Sequence, residues 1–127
     1  MRHRSTRDVL DDHLRRRAAG DLDGDLLANY APDVIVLHPD GEAFGHEGVR
    51  WLADRLSRYH IGSEFRCHRV LTSGEIGVLE WSGRGGRTDT MMLEATESFV
   101  MREGLIAAQT LTYVTAYAAT ADTAAVA

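Results

Sequence analysis

One change of hydrophobic period divides this chain. Up to about Gly62 the apolar residues recur mainly at helical spacing, and beyond it they alternate as they do in strands. Residues 1–5 read as a frayed lead-in. Val9, Leu10, His13, Leu14 and Arg17 then share one helical face, and Gly20 is a natural stop. Asp21 reads as the N-cap of a second helix with Leu22, Leu26, Leu27 and Tyr30 on its apolar face, ended by Pro32. A β-branched run at 33–39 predicts a short strand, 40–45 a loop, and Val49, Leu52, Ala53 and Leu56 the buried stripe of a third helix. Strands follow near 63–73, 76–84, 90–102 and 105–117, parted by turn signals at Ser73-Gly74, 83–86 and Glu103-Gly104. Helices segregated from antiparallel strands imply an α+β fold. Three helices packed on one face of a strongly curved sheet would make a cone-shaped α+β barrel with an internal pocket.

Composition narrows the function. At 127 residues the chain suits one domain, expected over 1–117, with 118–127 as a flexible Ala/Thr-rich tail. A net charge of -5 argues against a nucleic-acid partner. All 14 basic residues are arginine, which excludes Schiff-base and P-loop lysine chemistry and suggests a GC-rich bacterial genome. The single Cys67 excludes an internal disulfide framework and a cysteine zinc site. No run approaches the roughly 18 apolar residues of a membrane span, and no apolar stretch follows the charged N-terminus as in a secretory signal. The expectation is a cytoplasmic protein without a membrane partner.

Several residues could carry chemistry. His38 ends the first strand, and an imidazole can act as a base near neutral pH without tuning. By period two, Val78, Glu80 and Ser82 share one strand face and Leu79 and Trp81 the other, while Ala95, Glu97, Phe99 and Met101 share a face. His13 lies on the apolar stripe of the first helix, where a histidine is either a satisfied core residue or a site residue. Tyr30, Trp51, Phe99, Gln109 and Tyr113 are candidate substrate-lining groups. No His-x-His or His-Glu-x-x-His spacing supports a metal site, so neither a metal nor a cofactor is expected.

Three segments resemble the SnoaL-like and ketosteroid-isomerase-like branch of the nuclear transport factor 2-like superfamily. They are Ala19-Gly20-Asp21-Leu22-Asp23-Gly24 followed by Tyr30-Ala31-Pro32-Asp33-Val34, then Gly45-His46-Glu47-Gly48-Val49-Arg50, and the late hairpin from Ser98 to Ile106. The resemblance spans roughly residues 8–117 and implies the cone fold. It implies that His38, in a His-Pro pair, stands where the isomerases carry an Asp-Pro base. It also implies that Glu80 and Glu97 face the cavity, that Glu97 matches a protonated acid donating to an oxyanion, and that His13 replaces an oxyanion-hole tyrosine. The implied function is cofactor-free acid/base chemistry on an apolar ketone or polyketide-like substrate: isomerisation, cyclisation or dehydration through an enolate. The Asp-Arg-Asp set of limonene-epoxide-hydrolase-like members is absent. The alternative is a non-catalytic ligand-binding or dimeric interaction module. The resemblance further implies a homodimer through the sheet, with Trp81, Met92, Thr110 and Thr112 facing outward.

Overall fold

In the computed structural model, which describes residues 3–57, 65–85 and 91–117, the first helix α1 (Thr6–Ala18) opens at a reciprocal cap. The Ser5 hydroxyl accepts the Asp8 N–H, and the Asp8 carboxylate accepts the Ser5 N–H, each at 3.0 Å. The lead-in is not loose there. The Arg4 guanidinium donates to Asn29 Oδ1 and to the carbonyls of Ala28 and Gly104, tying the segment to later elements. Gly20 adopts φ 74 beyond α1, a conformation that costs glycine no side-chain clash. Asp21 then caps α2 (Leu22–Asn29) by accepting the Gly24 N–H.

The second helix stops at Asn29, earlier than Pro32 alone would require. Proline holds the preceding residue extended, and the extended backbone already begins at Tyr30, the first residue of β1 (Tyr30–His38). The buried stripe of α2 also differs from the expected one. Leu27 is 81% exposed, whereas Asp25 and Asn29 are buried beside Leu26. After a tight turn at Pro39-Asp40, β2 (Gly41–Phe44) pairs antiparallel with β1, so the expected loop holds a short edge strand. Helix α3 (Gly45–Leu56) follows, with Val49, Leu52 and Leu56 buried as the spacing predicts.

The four later strands are β3 (Arg66–Ser73), β4 (Ile76–Gly85), β5 (Met91–Arg102) and β6 (Leu105–Tyr117). They complete a six-stranded open sheet in the order β2-β1-β6-β5-β4-β3. All pairings are antiparallel except β1 with β6, which run parallel. Register shifts interrupt three ladders, at Tyr30/Ile35, Cys67/Arg69 and Val100/Met101. Such bulges bend and twist a sheet, and here the result is the curvature of the α+β cone. The core lies on the concave side, where Val9 and Leu10 of α1 meet Leu79, Leu93 and Phe99 of the sheet. Full burial of such a side chain contributes about 1.5–3 kcal/mol. The segment 118–127, expected to be a tail, lies outside the described residues. No helix among the described residues is long and apolar enough to cross a membrane.

Two side-chain arrangements join α1 to its neighbours, and each yields a prediction. A Cβ at Gly77 would stand 2.6 Å from Leu10 Cδ1 and 3.1 Å from Thr6 Cγ2, so glycine lets α1 approach β4. Because Leu10 is enclosed, Gly77→Ala should destabilise the fold by about 1–3 kcal/mol, read as a lower urea midpoint. Asp12 accepts from Arg16 at 2.8 Å, from Arg15, and from Asn29 of α2 at 2.9 Å. The Arg16 guanidinium is the main reason its carboxyl is lowered from 3.8 to about 2, with burial opposing and Asn29 and Arg15 assisting. A carboxyl depressed in the folded state contributes stability above its unfolded value and loses it as pH falls through the folded one. Asp12→Asn should therefore cost on the order of 1–2 kcal/mol at pH 6. Urea titrations should show the gap to wild type closing between about pH 4 and pH 2; a constant gap would refute the coupling.

Candidate functional site

Helical spacing on α1 places His13, Leu14, Arg17 and Ala18 along one edge of a cavity of about 230 Å³. Val49, Leu52, Ala53 and Leu56 of α3 form a second wall, and Phe65, Leu79 and Trp81 a third. The sheet supplies two further polar groups, Glu97 of β5 and Gln109 of β6. Burial grades along the cavity: His13 and Glu97 are 5% and 7% exposed, whereas Ala18 is open to solvent. The mouth therefore lies beside the C-terminal turn of α1.

His13 is held on three sides. Its Nδ1 lies 2.7 Å from Asp25 Oδ2, and Asp25 has no exposed surface. Asp25 Oδ1 accepts from Asn29 Nδ2 at 2.8 Å. An ionised carboxylate only accepts, so Nδ1 carries the proton in this pair, and in the neutral ring Nε2 carries the lone pair. The ring also meets Tyr30 and Phe99 edge-on, with centroids 5.9 and 5.7 Å away. These contacts fix the plane of the imidazole as well as its tautomer.

Glu97 is held from the sheet. Trp81 Nε1 donates to Oε1 at 2.8 Å, and Gln109 Nε2 donates to Oε2. The Tyr30 hydroxyl donates to Gln109 Oε1 at 2.6 Å. Burial, reinforced by the Asp25 charge, pushes the Tyr30 phenol well above its usual 10, so it remains a donor. Glu97 forms no ion pair among the described residues. The cavity thus presents an imidazole and a carboxyl between apolar walls, with the Arg17 guanidinium as a third, charged group. Such a pair can take a proton from one atom of a ligand and hold or return one at another.

Of the residues singled out in the sequence, His13, Glu97 and Gln109 line this cavity, with Tyr30 and Phe99 packed behind it. The others lie elsewhere. Glu80 does not face the cavity: the β4–β5 register sets Leu79 opposite Glu97 and Glu80 opposite Thr96, so the two glutamates occupy opposite faces. Glu80 pairs instead with Arg69, whose guanidinium lowers its carboxyl. By the same alternation Trp81 points inward and is buried, contrary to its expected outward place.

His38 lies outside the cavity. Together with Tyr113 it lines a surface groove, where its ring stacks 4.7 Å from Trp51 and its Nδ1 accepts from the Asp40 N–H. Leu52 and Leu56 line both spaces, so α3 is the partition between them. Trp51 is correspondingly on the outer side of α3, beneath the Arg55 guanidinium. Among the described residues no group of three His, Cys, Asp or Glu side chains could hold a metal. The Cys67 thiol is raised by burial, which opposes nucleophile formation.

Asp25 and Asn29 went unread in the sequence, and Arg17 was placed on the helical face of α1 without a site role. A signal existed, since positions 22, 25, 26 and 29 form one helical stripe and two of them are polar. A buried Asp and Asn one turn apart require partners from another element, and α1 supplies them.

A sequence profile of the SnoaL-like domain matches residues 10–109. No curated protein matches the chain. Among solved structures, an NTF-2 like protein of unknown function from Burkholderia xenovorans LB400 is similar at 21% identity and TM-score 0.68, covering 94% of this chain and 91% of that one. A candidate SnoaL-like polyketide cyclase from Mesorhizobium loti matches at 14% identity and TM-score 0.63, over 87% of this chain and all (100%) of that one. TerC, crystallised with polyporic acid, matches at 18% identity and TM-score 0.66, over 86% and 91%. Identities at this level establish a common fold.

Proposed function

This chain belongs to the SnoaL-like domain family, and on that premise we propose that its cavity performs cofactor-free acid/base chemistry on a small apolar ketone or polyketide-like compound. The observation that carries this reading is the convergence of His13, oriented by Asp25, and Glu97 on one apolar chamber. His13 takes over the role that the sequence suggested for His38. Its Nε2 removes a proton beside a substrate carbonyl, and Asp25 steadies the imidazolium that results. Glu97, in its protonated form, donates a hydrogen bond to the oxygen on which negative charge develops and keeps its proton, while the proton held by His13 returns to the substrate when the enolate is resolved. Gln109, Trp81 and Tyr30 position it. Isomerisation, cyclisation and dehydration all pass through such an enolate. The reading is supported by a polyketide cyclase candidate and a protein crystallised with polyporic acid among the fold's neighbours.

Turnover of an enolisable aromatic polyketide or bicyclic enone panel by wild type, His13→Ala and Glu97→Gln tests this. Each variant should lose about 100-fold or more in kcat, the scale of one general base or one oxyanion donor, while binding the same ligands. His38→Ala should keep wild-type turnover. An inactive His38→Ala beside an active His13→Ala would return the base to the outer groove.

We also propose a homodimer through the outer sheet face, on a separate observation. Phe44, Ile35, Ala108, Val100 and Ile76 form one lateral row across five strands, and its four large side chains are exposed. An apolar row of this kind marks an interaction surface. Light scattering should give a dimer mass for wild type and a monomer mass for Val100→Asp; a monomeric wild type would refute the pairing.

A further inference from the structure

The mouth of the cavity carries a cation that the fold leaves only partly engaged. Arg15 and Arg16, its neighbours on α1, are taken up by Asp12, and Arg16 also by Asp21. Arg17 turns to the other side of the helix and lines the cavity with a side chain only 20% exposed. Its ion pair among the described residues is a long one, 3.8 Å from Asp25 Oδ2, an oxygen already engaged by His13 at 2.7 Å. A guanidinium offers five donors in a planar fork suited to two oxygens of one anion. Withdrawing that charge among apolar walls is costly unless a partner arrives.

Cavity size limits the partner. A dry cavity of about 150 Å³ holds one benzene ring, and drug-sized ligands occupy about 300 Å³ or more. The 230 Å³ here lies between these and suits one or two fused rings. Charge orients the ligand. The Glu97 carboxyl at the floor, engaged by Trp81 and Gln109, offers a ligand anion no counter-charge, whereas Arg17 at the mouth does. Building on the ligand-binding cavity proposed above, we infer that the substrate is a one- or two-ring compound bearing an anionic oxygen group, and that Arg17 is the residue selecting for it. The ring lies between the α3 wall and Trp81, its reactive carbon near His13, with the anion drawn to the guanidinium.

Calorimetry with 2-naphthoate and its neutral methyl ester tests this on wild type, Arg17→Gln and Arg17→Lys. Wild type should bind the acid about tenfold more tightly than the ester, the scale of one charge-assisted contact. Arg17→Gln should bind both within about twofold while keeping the ester affinity of wild type. Arg17→Lys should recover part of the preference. Equal binding of acid and ester by wild type, or a preference that survives Arg17→Gln, would overturn the role of Arg17 and leave the cavity reading intact. Binding of neither compound to wild type would overturn both.

Discussion

The arrangement of this molecule depends on one buried carboxylate. Asp25, in the second helix, has no exposed surface, yet it accepts from His13 of the first helix and from Asn29 one turn further on. Burying such a group without donors costs several kcal/mol. The two helices must therefore cross where those donors can reach it. That requirement sets the imidazole against the sheet, between Tyr30 and Phe99. Asn29 extends the same network to Arg4 and Asp12, so the cap of α1, the corner between the helices and the start of β1 form one connected unit.

The opposite wall follows a different rule. Strand alternation places Leu79, Trp81, Glu97 and Gln109 on the concave face, and three side-chain hydrogen bonds hold Glu97 in place through Trp81, Gln109 and Tyr30. The first helix thus brings His13 and Arg17, and the sheet Glu97, to a space whose remaining walls are mostly apolar. A fold of this class can host many activities, and the difference between them resides in such groups. The chain departs from the isomerase-like arrangement that the resemblance implied, because a different histidine lines the chamber. His38 is shut off behind α3, and His13 is the imidazole that reaches the chamber.

Much of the architecture was legible in the chain. The change of period near Gly62, the stop at Gly20 and the turns at Ser73-Gly74 and Glu103-Gly104 each reflect local backbone physics, and the structure follows them. The stripe of α3 was equally readable because three of its apolar positions have no polar competitor. The second helix was misread where leucine at 27 outweighed Asp25 and Asn29 on a hydropathy scale, although partners in α1 make those polar residues the buried ones. Strand β2 escaped notice because four edge residues carry little alternation.

Sequence by itself determined the class of fold, the order of every element except β2 and the identity of Glu97, His13 and Gln109 as candidates, because period and residue chemistry are local properties. Tertiary structure alone decided which candidates meet. Glu80 and Glu97 sit on separate strands, and only the β4–β5 register sets them on opposite faces. His38 follows the inward alternation of Val34 and Val36, yet α3 closes it off. Facing and partition depend on how distant segments dock. One residue of register, or one helix laid across a strand end, reverses what a side chain can touch.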